Sequence, residues 1–115
     1  MRIKKYAQTM TLDVSSNDNL ISSTAKINGV FKGASITVPN LDYSNGTVTA
    51  SILNSEGGTI WTKASIVEGA TTSVFIDANN AYFQQPLNGI LTLKIQTNAG
   101  QSEDRVFVFY IYYED

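Results

Sequence analysis

Short runs of alternating apolar and polar residues, cut by turn residues about every 8–15 positions, leave this chain little choice but an all-β fold. Residues 3–12 place Tyr6, Met10 and Leu12 on one face and Lys5, Thr9 and Thr11 on the other. That alternation predicts a half-buried strand, because successive side chains of a strand point to opposite faces. No stretch repeats apolar residues at the three- and four-residue spacing of a helix.

The remaining runs follow the same rule. Ser15-Ser16-Asn17-Asp18-Asn19 predicts a loop, and residues 20–28 alternate with Ile21, Ala25 and Ile27 on one side. Asn28-Gly29 then reads as a tight turn or a bulge, and residues 30–38 continue until Pro39 stops any central pairing. Asn45-Gly46 opens a strand with Val48, Ala50 and Ile52 inward, and Ser55-Glu56-Gly57-Gly58 is a hairpin-type turn into Thr59–Lys63. Glu68-Gly69 and Asp77-Ala78-Asn79-Asn80 bracket a short strand at 72–76. Gln84-Gln85-Pro86 marks a loop, and Asn88-Gly89 leads into Ile90–Ile95. Asn98-Ala99-Gly100-Gln101-Ser102 turns the chain into a last strand, Arg105 to Tyr113. At 115 residues this amounts to one domain, 1–115, an antiparallel β-sandwich of about eight strands, immunoglobulin-like or jelly-roll-like.

The chain has no cysteine and no histidine. Disulfides, thiolate nucleophiles and sulfur-ligated metals are excluded, as is the commonest acid–base group near neutral pH. What remains is a carboxylate pair, a lysine, or an oxygen-ligated Ca²⁺ site. Asp13, Asp18, Asp42, Glu56, Glu68 and Asp77 all fall in or beside turns, where Asp bonds its own backbone. They form no acid–base pattern, and Asp13, Asn17 and Asp18 do not fit an EF-hand spacing. The expectation is no catalytic residue, no metal and no cofactor. A net charge of −2 does not favour a nucleic-acid partner, and no apolar run approaches the roughly 20 residues of a membrane helix. The basic opening, Met1 to Tyr6, lacks the apolar stretch of a signal peptide, which predicts a protein first present in the cytoplasm.

Three features stand out as possible contacts. Val106 to Tyr113 is apolar or aromatic on both faces, so both faces need cover. It reads either as a central core strand or as a strand with one face in the core and the other on a neighbouring subunit. Tyr110, Tyr112 and Tyr113 suit an interface, each joining apolar area to a polar tip. The ends differ in charge, with Arg2, Lys4 and Lys5 at the start and Glu114 and Asp115 at the finish. They are ordinary solubilising charge, an intramolecular pair, or a polar clamp between copies. Trp61 reads as a core plug, or as a stacking platform for a glycan. Tyr82 and Phe83 either cap the core or offer a loop-end contact to a partner or a sugar ring.

Two strand-and-turn patterns carry a resemblance. One is Ile3-Lys4-Lys5-Tyr6 followed by Ser23-Thr24-Ala25-Lys26-Ile27-Asn28-Gly29-Val30. The other is Val48-Thr49-Ala50-Ser51-Ile52, then Gly58-Thr59-Ile60-Trp61-Thr62 and the late Gly89-Ile90-Leu91-Thr92-Leu93. With these the chain resembles a family of small virion structural proteins of tailed bacteriophages. The resemblance implies a non-enzymatic protein of the virion, assembled in the host cytoplasm. It would decorate or cement the capsid or sit at the head–tail neck, as a homo-oligomer docked on the major capsid or neck protein. The alternative is a carbohydrate-binding β-sandwich.

Overall fold

A computed structural model describes residues 3–42, 46–75 and 86–115, with the side chains of residues 74 and 75 left out. Seven strands are present among these residues: β1 (Ile3–Leu12), β2 (Leu20–Val38), β3 (Thr47–Leu53), β4 (Thr59–Val67), β5 (Ala70–Phe75), β6 (Pro86–Thr97) and β7 (Arg105–Glu114). All pair antiparallel in one continuous network, β1-β7-β2-β6-β3-β4, with β5 added on β2.

β2 makes this network a sandwich. Its 19 residues are too long for one layer. From Leu20↔Gln96 to Val30↔Pro86 it pairs β6. Beyond that point it pairs β7 on one side, Val30↔Glu114 to Thr37↔Val108, and β5 on the other, Gly33↔Phe75 to Val38↔Ala70. One layer is therefore β4-β3-β6 with the first half of β2. The other is β1-β7-β5 around its second half. The crossing sits at Gly29, whose φ of 145° and contact with the Glu114 backbone leave no room for a side chain. A bulge between Phe31 and Gly33 completes the change of layer. The sequence expected two runs here, 20–28 and 30–38; they are one strand, so the described residues hold seven strands where the periodicity predicts about eight.

The inward residues are those the alternation selects. Met10, Leu12, Phe107, Phe109 and Ile111 line one layer and Ala25, Ala50, Ile52, Leu91, Leu93 and Ile95 the other, all buried. Trp61 joins the layers: it lies on β4, 1% exposed, with its ring 6.3 Å from Phe31 and 6.2 Å from Phe109. The register slips between Ile52↔Trp61 and Leu53↔Thr59, which turns the consecutive Ile60 and Trp61 both inward.

A candidate docking face on the outer side of β7

β7 alternates despite its composition. Phe107, Phe109 and Ile111 are buried, while Val106, Val108, Tyr110 and Tyr112 point to the other side and are partly or well exposed. The inner face lies in the core, and the outer face carries a row of apolar and aromatic side chains, partly exposed apart from the well-exposed Val106, on a strand paired on both flanks.

Apart from Lys5, the neighbours on this face are small. Tyr112 stands between Lys5 on β1 and Gly33 on β2, and Tyr110 between Ala7 and Ser35. Val108 stands between Thr9 and Thr37. Farther out, Ser35 Oγ meets Ser73 Oγ at 2.9 Å and Thr37 Oγ1 meets Thr71 Oγ1 at 2.9 Å, so the hydroxyls of β2 and β5 satisfy one another. Lys5 Nζ lies 4.4 Å from the centroid of the Tyr110 ring, a cation–π contact worth roughly 0.5–1 kcal/mol at an exposed site.

The other candidate residues fall elsewhere. Tyr113 is turned to the inner side, partly buried against the core, so it leaves the face that Tyr110 and Tyr112 share. Lys4 pairs with Asp115 of the same molecule, and this hydrogen bond raises its pKa above the usual lysine value. Lys32 Nζ lies 3.5 Å from Glu114. The charged ends thus meet each other because β1 and β7 are neighbours, which is the intramolecular reading of their complementarity. Trp61 is a core plug and cannot serve as a stacking platform; its Nε1 has no hydrogen-bond partner among the described residues. Arg2, Tyr82 and Phe83 lie outside the described residues, as do Asn45 and Asp77.

A polar knot at one end of the sandwich had little signal in the sequence. The Asp42 carboxylate accepts hydrogen bonds from the Ser102 amide and from Arg105, and it is held below the usual Asp range chiefly by the Ser102 amide. Buried Gln101 accepts from the Asp42 amide at 3.0 Å and from Arg105 Nε at 3.3 Å. These hydrogen bonds join the loop after β2 to the β6–β7 connection, so the knot fixes loops. A groove of about 520 Å³ between the β2 end and β5 is lined by Thr37 to Asn40 and Gly69 to Thr71, with no ionisable side chain. No group of three metal-ligating side chains occurs among the described residues.

No family model matches the chain, and no curated protein matches it in sequence. Its fold is similar to part of the serine protease–chaperone ORF2 complex of Aeromonas sobria, with a TM-score of 0.51 and 9% identity over 100% of this chain and 28% of that one. Infectious bursal disease virus VP2, in its subviral particle, gives 0.46 and 16% over 98% of this chain and 33% of that chain. A Bacillus endospore appendage pilus gives 0.47 and 14% over 97% and 86%. The chain thus spans about a third of the viral protein. At such identities the likeness concerns the fold alone.

Proposed function

We propose that the chain is a non-enzymatic structural subunit that works by docking its β7 face onto other proteins of a tailed-phage virion, at the capsid surface or the neck. The observation that carries this reading is the row Val106, Val108, Tyr110 and Tyr112 on the outer side of a centrally paired strand, where a solvated sheet would present polar residues. The resemblance to small phage structural proteins supplies the setting. Four strands about 4.8 Å apart and six to ten residues long give a face of about 500 Å². Two such faces bury about 1,000 Å², the lower bound of a specific interface. One contact of that size is weak, and a symmetric shell would multiply it.

A glycan platform is the poorer reading. Trp61 is inside, and one face of the Tyr110 ring is already occupied by Lys5.

The test is solution mass by light scattering across a concentration series, for the wild type and for Tyr110→Ser and Tyr112→Ser. We expect an oligomer whose mass falls in both variants while their melting temperatures stay close to the wild type's, since neither side chain is in the core. Folded variants with unchanged mass would remove β7 from the contact. A wild-type monomer would leave a shell protein as the partner, read by co-sedimentation with assembled capsids.

A further inference from the structure

Charge in this molecule is sorted by place. Every described lysine and arginine lies on a strand, and of the described carboxylates only Glu114 does. The rest sit in loops or at the terminus, and most converge on one end. Leu12 pairs Arg105 and Leu20 pairs Gln96, so the loops after β1 and after β6 share that end. Hydrogen bonds tie them together: the Val14 amide donates to Asp104, the Gln101 amide to the Asp18 carbonyl, and the Leu41 amide to Glu68. Asp13, Asp18, Asp42, Glu68, Glu103 and Asp104 thereby crowd one end against Arg105, which Asp42 and Glu103 already engage.

The outer face of the other layer has the opposite sign. Lys26 on β2 stands opposite the exposed Ile90 on β6, and Lys94 on β6 stands between Ser22 and Ser51. β2, β3, β4 and β6 carry no carboxylate at all. None of the described carboxylates forms an ion pair with Lys26 or Lys94, in contrast to Lys4 and Lys32.

We infer that the acidic end of one copy docks on the Lys26–Lys94 face of the next. The two surfaces differ, so the contact is heterologous and propagates into an open chain or a ring, which a two-fold contact would not do. It uses neither Tyr110 nor Tyr112 and does not rest on the function proposed for that face. Ion pairs between exposed groups are individually weak, and the contact depends on several acting together at low ionic strength.

Sedimentation velocity at about 0.02 M and about 0.5 M salt tests it, because the screening length falls severalfold over that range. Wild-type protein should associate at low salt and weaken at least about tenfold at high salt. The double variants Lys26→Glu/Lys94→Glu and Asp18→Lys/Glu103→Lys should each lose the salt-dependent association when alone, with native circular dichroism and with any association through the β7 face unchanged. Mixed, they should associate again, since each supplies the charge the other has lost. Tyr110→Ser should keep the salt-dependent association. Absence of any salt-dependent association in the wild type overturns the inference, and so does a mixture that gains none over its separate components. Binding of polyglutamate to the lysine face without self-association would also overturn it, in favour of a separate acidic partner.

Discussion

At the scale of single residues, Gly29 and Trp61 carry more of the fold than their neighbours. A Cβ at Gly29 would lie 2.2 Å from the Glu114 carbonyl oxygen, at a backbone angle side chains avoid. Gly29→Ala should therefore cost about 3 kcal/mol, combining backbone strain with a clash neither strand can relieve. Gly57 is the internal control. Its φ of 86° is also left-handed, but nothing lies within 4 Å of its added Cβ, so Gly57→Ala should cost only about 1 kcal/mol. Urea titration of both variants checks the difference, and equal losses would mean that the close approach at Glu114 is unimportant. Trp61→Ala should cost about 3–5 kcal/mol, because it empties the contact between the layers.

At the scale of elements, alternation made most strands legible and their assembly illegible. Val48, Ala50 and Ile52 are inward and Thr49 outward as the two-residue period requires, and Pro39 ends β2 at Val38. Asn28-Gly29 misled because the same dipeptide serves a turn and a crossing between layers, and only the distant β6 and β7 decide between them. Tyr113 was likewise grouped with its neighbours by composition, though strand parity puts it on the opposite face. The order β1-β7-β2-β6-β3-β4 depends on contacts far apart in sequence, which local periodicity does not encode. The Asp42 knot, which joins the loop after β2 to the β6–β7 connection, gives this scale its prediction. A carboxyl whose folded pKa is lowered adds stability that is present above the unfolded Asp value, near pH 4, and is lost as pH falls through the lowered folded value. Asp42→Asn should flatten the stability profile below about pH 4, leaving a smaller slope from Asp13, which Ser15 lowers in the same direction. Thermal melts from pH 2 to 6 would show it, and parallel profiles for variant and wild type would refute it.

At the scale of the whole molecule, the layers cannot part without tearing β2, because its two halves belong to different layers. Trp61, on β4 of one layer, is wedged against Phe31 and Phe109 of the other. Loss of that wedge and loss of the sheet should be one event, so the domain should unfold in two states. Trp61 is the sole tryptophan, which makes its emission a direct reporter of contact between layers, while far-ultraviolet circular dichroism reports the strands. The two transitions should coincide in urea. An earlier fluorescence transition would mean that the layers separate first and β2 bends without breaking. The same topology sets the folding time. β1 and β7, the first and last strands, are neighbours, so the network closes only when the chain ends meet. Such non-local pairing places folding in the range of about milliseconds to seconds. Stopped-flow refolding followed through Trp61 should therefore show its main phase on that scale, and a microsecond phase carrying the full amplitude would contradict the role given to the closure of β1 on β7.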